Sequence, residues 1–306
     1  MDSTPKIATI GMFDGVHCGH RFLIHRLEKE AAERNLHPVI FTFSRHPLSL
    51  IAPDKEPPHL NGTEEKVLLL EDCGKNEVVV LDFDEKLRNM TARSFLEMLR
   101  KSYNVRTLIM GYDHRFGHDK ITDREEYVRR GREENIEVLF ASPFEDPTPI
   151  RINSSYIRKL ISDGNIEMAN KALGRPYSIE AKVVDGKKIG RKLGFPTANL
   201  MLIDNMQLLP APGVYAVRVQ LPDSETFGGM LNIGTRPTID HSSEPHTTVE
   251  VNIINYNGEL YGSVLKVSFI ARLRGEKNSA PLMNLENNWP STKLMPLQSY
   301  FITSNL

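Results

Sequence analysis

Cysteine is nearly missing from this 306-residue chain: only Cys18 and Cys73 occur, in unrelated contexts. That argues against a disulfide framework and for a reducing, cytoplasmic setting. Long apolar runs are missing too. None approaches the ~18 residues that span a bilayer, so no membrane partner is expected. The opening M-D-S-T-P-K carries no apolar segment, and no secretory signal is expected from it. Excess charge of either sign is absent as well. A formal net charge of −1 leaves no basic footprint for nucleic acid. What remains is 40% hydrophobic and 25% charged, an ordinary soluble composition with room for two domains.

The first half is organised around Ile7–Leu27, I-A-T-I-G-M-F-D-G-V-H-C-G-H-R-F-L-I-H-R-L. A short apolar strand (Ile7 to Ile10) meets Gly11, and a loop with two more glycines follows. A helical pattern opens near Gly19, with Phe22, Leu23, Leu27 and Ala31 on one face. His17 and His20 lie between strand and helix, spaced H-x-G-H. A strand turning through glycines into a helix N-terminus offers free backbone N–H groups and a favourable dipole to a phosphate. Two imidazoles there add donors for charge that builds on a triphosphate in the transition state. Cys18, inside this loop, has no dedicated base and reads as a small filler.

Further strands are expected at Pro38–Phe43, Glu77–Phe83, Val105–Met110 and Ile136–Phe140. Helices are expected from a Thr63 cap through Cys73, with Val67, Leu68, Leu69 and Leu70 on the apolar side, and over Thr91–Tyr103. Another opens at a Thr122/Glu125 capping box. Strands alternating with helices imply a doubly wound parallel sheet covered on both faces. Ligands of such sheets bind outside the C-terminal strand ends, where strand order reverses. The polar, Gly-rich segments G-M-F-D-G-V-H-C-G-H, S-R-H-P and G-Y-D-H-R-F-G all fall at such ends. R-I-N-S-S-Y-I-R (Arg151–Arg158) precedes a short helix. Ser154 or Ser155 serves as its cap, or Arg158 and Arg151 clamp a transferring phosphate.

Gly164–Gly174 reads as a connecting helix, and the rhythm then changes. From Tyr177 strands are short and turns rich in Gly, Pro and Asn, the pattern of a small antiparallel β-barrel or sandwich. The expected domains are therefore residues 1–174 and 175–306. G-K-K-I-G-R-K-L-G-F-P-T-A-N-L (Gly186–Leu200) supplies Gly190 and Gly194 for close approach to phosphates, with Arg191 among its basic residues. Thr197 and Asn199 offer oxygens to a hydrated Mg²⁺. The same composition also suits a solvated loop. In T-T-V-E-V-N-I, alternation puts Val249 and Val251 on one face and Glu250 on the other. Glu250 is either a solvent-facing strand residue or a general base for a hydroxyl attacking a γ-phosphate.

G-x-F-D-G-x-H-x-G-H, T-F-x-x-H-P, G-x-D-x-x-F-G and S-S-x-I-R, in that order, resemble the flavin-nucleotide adenylyltransferase module of the bacterial bifunctional riboflavin kinase/FAD synthetase family. G-R-x-L-G-F-P-T-A-N-L, G-V-Y-A-V, N-I-G-T-R-P-T and V-E-V-N-I resemble its riboflavin kinase module. H-x-G-H alone is shared by many nucleotidyltransferases and class I aminoacyl-tRNA synthetases; the ordered set is far more specific. The resemblance implies phosphorylation of riboflavin to FMN by Mg-ATP and adenylylation of FMN to FAD with release of pyrophosphate. It implies catalytic roles for His17, His20, Arg158 and Glu250. Nucleotide or flavin contacts fall at Gly11, Phe13, Asp14, Gly19, Asp113, Arg151, Ser154, Ser155, Gly190, Arg191, Gly194, Pro196 and Asn199, and the Mg²⁺ ligands at Thr197 and Asn199. Expected partners are these small molecules, with the chain a monomer or weak homo-oligomer. The alternatives are a nucleotidyltransferase for another small phosphorylated substrate, or a non-catalytic flavin-binding regulator.

The tail departs from that family after R-L-R-G-E-K (Arg272–Lys277). From about residue 278 it lacks helical periodicity, and Pro290 and Pro296 break any long helix. The expectation is a frameshifted reading of a normal ending, with a true divergent tail as the alternative. Shifted codons force Glu from Met283–Asn284, Leu from Asn288–Trp289 and Ala from Trp289–Pro290. Permissible codons elsewhere restore K-F-S-S, Q-L and an alanine-rich helix. Loss of that helix is expected to weaken the kinase more than the transferase.

Overall fold

The computed structural model describes residues 4–112, 114–144, 151–185, 197–236 and 246–275. The chain divides into two compact units, Met1–Ser154 and Ser155–Leu306.

The first unit carries β1 (Lys6–Ile10), β2 (His37–Phe43), β3 (Glu77–Leu81), β4 (Val105–Met110) and β5 (Glu137–Phe140). They form one parallel sheet in the order β3-β2-β1-β4-β5, so strand order reverses between β1 and β4. The period of two along each strand sorts side chains onto two cores. Ala8, Ile10, Val39 and Phe41 pack with Phe95, Leu96 and Leu99 of α5 (Ala92–Tyr103) and Tyr127 of α6 (Arg124–Glu133). Ile7, Ile40 and Ile109 pack with Leu23, Ile24 and Leu27 of α1 (Cys18–Arg34) and Leu70 of α3 (Thr63–Glu71). Both faces are covered, as the alternation of elements requires.

Several ends differ from expectation for local reasons. The cap of α3 is Gly62, and the Thr63 hydroxyl instead donates to the Ser44 carbonyl at 2.8 Å. The cap of α6 is Asp123, whose carboxylate accepts the Glu125 N–H at 3.0 Å, in place of Thr122. β3 stops at Leu81 because Asp84 turns the chain to cap the four-residue α4 (Glu85–Arg88). That helix and the five-residue α2 (Pro47–Ile51), capped by His46, are too short to show a period.

The second unit begins within α7 (Ser154–Ser162), followed by α8 (Ile166–Leu173), which ends at Gly174 with φ of 73°. α8 packs on two strands of a closed antiparallel barrel, β6 (Tyr177–Val184) and β11 (Val264–Gly275). The others are β7 (Ala198–Leu202), β8 (Gly213–Gln220), β9 (Thr226–Arg236) and β10 (His246–Ile253), in the order β10-β7-β6-β11-β8-β9. Alternating side chains such as Ile179, Tyr215, Val217, Leu231, Val249, Val251, Val267 and Phe269 are buried. The barrel thus replaces the sandwich alternative. The proposed shifted tail from about residue 278 lies outside the described residues.

Candidate active sites

The loop after β1 leaves the sheet at its reversal point. It needs an unusual backbone: Phe13, Gly15 and Val16 have φ of 50°, 83° and 38°. Gly15 takes this conformation freely, whereas Phe13 and the β-branched Val16 are held in it by their surroundings. The Thr42 hydroxyl donates to the Met12 carbonyl at 3.2 Å, and the Asp14 carboxylate accepts the Leu60 N–H at 3.0 Å. The Ser154 hydroxyl donates to the Asp14 carbonyl at 2.9 Å. Ser154 is therefore the first residue of α7 and a tie to the loop, rather than its cap.

The chain then enters α1 with His17 as N-cap. His17 Nδ1 accepts the His20 backbone N–H at 3.3 Å, which places the neutral ring's proton on Nε2. The two imidazoles stack with centroids 3.6 Å apart and planes 19° from parallel. Phe13 is buried and meets His20 edge-on at 5.1 Å. A Cβ at Gly19 would lie 3.2 Å from the His17 ring, so any larger residue would press on the stacked imidazoles. Burial, then His17, then His114 push the His20 pKa well below 6.5, so the ring is neutral at pH 7. The His20 Nδ1 is buried with no hydrogen-bond partner among the described residues. Neutral imidazoles at a helix N-terminus, with backbone N–H groups around them, are suited to receive an anion.

The expected residues gather in part. Gly11, Phe13, Asp14, His17, Gly19 and His20 share this loop and helix start. Arg151 places its guanidinium over the Tyr112 ring at 4.8 Å, just past β4. Ser155 and Arg158 lie on α7, Arg158 one turn beyond Ser154. Asp113 lies outside the described residues. Two residues here were not singled out by sequence. His114 acts on His20, and its only signal was its place in G-Y-D-H-R-F-G. Lys66, on α3, is buried beneath the loop and gave no signal at all.

On the barrel, Glu250 in β10 stands directly opposite Asn199 in β7 and Asn232 in β9. Val249 and Val251 are buried, which turns Glu250 outward with Thr248 and Asn252, half-buried. Residues opposite one another in an antiparallel ladder share a face. The Thr197 hydroxyl donates to Glu250 Oε2 at 3.4 Å. Thr197, Asn199 and Glu250 therefore converge, and Asn232, from N-I-G-T-R-P-T, completes the row unanticipated. Gly190, Arg191, Gly194 and Pro196 lie outside the described residues.

A doubly wound sheet with paired imidazoles at its reversal point, and a barrel presenting hard oxygens beside a carboxylate, define a two-module enzyme of nucleotide-dependent group transfer. The family model for FAD synthetase matches residues 1–156, and that for riboflavin kinase residues 173–290. A bifunctional riboflavin kinase/FMN adenylyltransferase of Escherichia coli (strain K12) is 36% identical over 281 residues, covering 92% of this chain and 88% of that protein. Its namesake in Bacillus subtilis (strain 168) is 32% identical, covering 90% and 86%. A crystal structure described as a macrolide-efflux protein from Streptococcus pneumoniae superposes with a TM-score of 0.81 at 31% identity, covering 94% of this chain and 92% of that one. The chain belongs to the bifunctional riboflavin kinase/FMN adenylyltransferase family. It phosphorylates riboflavin to FMN and adenylylates FMN to FAD. Among the described residues no helix is long and apolar enough to cross a membrane.

Proposed function

We propose that the two reactions are divided between two sites, His17/His20 for adenylyl transfer (residues 1–174) and Thr197/Asn199/Glu250 for phosphorylation (residues 175–306). In the first, an FMN phosphate oxygen attacks the ATP α-phosphorus in line, the bond to the β-phosphate oxygen breaks, and pyrophosphate leaves. His17 and His20 stabilise charge on the triphosphate. Arg158, Arg151 and the Ser154–Ser155 turn grip the leaving phosphates, while Gly11, Phe13, Asp14 and Gly19 shape the loop and Asp113 contacts nucleotide or flavin. The observation that carries this reading is the stacked pair of imidazoles at the start of α1.

In the second, the riboflavin 5′-hydroxyl gives its proton to Glu250 as its oxygen attacks the γ-phosphorus, and ADP leaves. Catalysis here is mostly positioning and charge neutralisation. The hydroxyl of Thr197 beside a carboxylate, with the Asn199 amide on the same face, is a hard-oxygen set that fits Mg²⁺. Thr197 and Asn199 would hold it, and its charge would neutralise the ATP phosphates. Gly190, Arg191, Gly194 and Pro196 would cradle those phosphates. We place the enzyme in the cytoplasm, as a monomer or weak homo-oligomer.

Chromatography of products from Mg-ATP with riboflavin, and separately with FMN, tests the division. FMN and FAD from riboflavin, both lost on chelation of the metal, support it. FAD from FMN with nothing from riboflavin would leave only the first site active.

A further inference from the structure

The α3 helix buries charge beside its expected apolar residues: Leu70 is in the core as its pattern requires. Leu68 is 65% exposed, while Glu65 and Lys66 are buried. Charged side chains are almost never buried unless something compensates them, and each of these is compensated. The Glu65 carboxylate accepts from Asn61 Nδ2 at 2.6 Å. Lys66, 4% exposed, donates from Nζ to the carbonyl of Phe43, the last residue of β2, at 2.7 Å. The carboxylate that acts on this ammonium is Asp14, the same group that holds the Leu60 N–H. Asp14 sits between Phe13 and the Gly15–Val16 pair, all three at positive φ. The charge under the loop thus adjoins the segment whose backbone is least comfortable.

We propose that Lys66 is a positioning residue of the adenylyl-transfer site, its buried ammonium fixing the end of β2, from which Thr42 ties the loop that presents His17 and His20. The proposal rests on the assignment of those two histidines to the site. Lys66 does not reach the reacting atoms; it acts through the end of β2, where its ammonium holds the Phe43 carbonyl and the neighbouring Thr42 holds Met12. Burial lowers its pKa to about 8 and Asp14 opposes the fall. The groups facing it are Asp14 from the β1–α1 loop and the Phe43 carbonyl from β2, with Glu65 on its own helix bonded to Asn61. The ammonium is charged at neutral pH and loses its charge in mildly alkaline solution.

The test uses the full chain with Lys66→Met and Lys66→Arg. Removing one partner of a buried polar contact destabilises a fold whatever the residue's role, so unfolding alone does not distinguish a structural lysine from a positioning one. A positioning lysine shows a split. Lys66→Met is expected to unfold somewhat below the wild-type temperature, because the Phe43 carbonyl loses its donor, and to make FMN normally. It should lower kcat for FAD formation by about 10- to 100-fold, with a smaller change in KM for ATP, as sub-ångström misplacement of catalytic groups does. Wild-type FAD formation is expected to fall as pH rises through about 8. Lys66→Arg, which cannot deprotonate in this range, should recover most of the rate and lose that alkaline limb. Wild-type kcat in Lys66→Met overturns the proposal, as does an unchanged limb in Lys66→Arg, which decides the matter if the methionine variant does not fold. His17→Ala is measured alongside. Full FAD synthesis in that variant overturns the site assignment itself, whereas its loss beside an unimpaired Lys66→Met overturns only the role of Lys66.

Discussion

His17 and His20 stack with ring centroids 3.6 Å apart, and the Nδ1 of the first caps the helix by accepting the N–H of the second. One imidazole is thereby locked in tautomer and orientation by the backbone of the other. In the proposed role, removing either ring removes a donor for developing charge, a loss worth about 10²–10³ in kcat where such donors have been deleted. His17→Ala and His20→Ala are each expected to lower FAD formation from FMN by that order and to leave FMN formation from riboflavin intact. Product chromatography on the two substrates reads both activities in one preparation. Retention of full FAD synthesis would refute the site.

The buried state of His20 has consequences for pH. Its folded pKa lies well below 6.5, first through burial and then through His17 and His114. As pH falls below 6.5 the unfolded chain takes up the proton first, so stability declines across the window between 6.5 and the folded value. Above 6.5 the ring is neutral in both states and adds no slope. A triphosphate bound at the proposed site would favour the protonated ring and raise its pKa. ATP binding is therefore expected to take up protons near pH 6 and fewer near pH 8. Calorimetry in buffers of different ionisation enthalpy measures this directly, and His20→Asn should abolish the difference. Proton release on binding would contradict the assignment.

Glu250 is the corresponding test in the barrel. Glu250→Gln keeps the shape and the contact to Thr197 but removes the proposed base. Removal of a general base typically costs about 10²–10⁴ in rate. FMN formation should fall by that order while riboflavin binding, followed by quenching of flavin fluorescence, is retained and FAD formation from FMN is unaffected. An unimpaired Glu250→Gln kinase would return Glu250 to the role of a solvent-facing strand residue.

The parts of this architecture that could be read in sequence are those with a local period. Ile7 against Ala8 and Ile40 against Phe41 sort onto opposite cores because strand side chains alternate. The loop with His17 and His20 was legible because glycines, a strand end and a helix start fall together in twenty residues. Lys66 was not, because its partner, the Phe43 carbonyl, is 23 residues away, and of the four apolar neighbours expected to be buried Leu70 is, while Leu68 is exposed. The role of Ser154 was hidden for the same reason, its acceptor on Asp14 being 140 residues distant. Asn232 becomes visible as a neighbour of Glu250 only once β9 and β10 are paired in register.

The tail yields a prediction that needs no structure. The riboflavin kinase match runs to residue 290, past the point where the familiar ending is lost. If a one-base shift produced the present reading, the gene near codon 277 must contain, in the neighbouring frame, a sequence encoding K-F-S-S followed by Q-L and an alanine-rich helix. Sequencing the gene decides this, since only some synonymous codons allow it. Absence of such a frame makes the tail a true divergence. Where the frame is present, restoring it should supply an amphipathic C-terminal helix and raise riboflavin phosphorylation. FAD formation from FMN should change little, because the groups assigned to that reaction lie in residues 11–158. Equal gains in both activities would show instead that the tail acts on the whole enzyme.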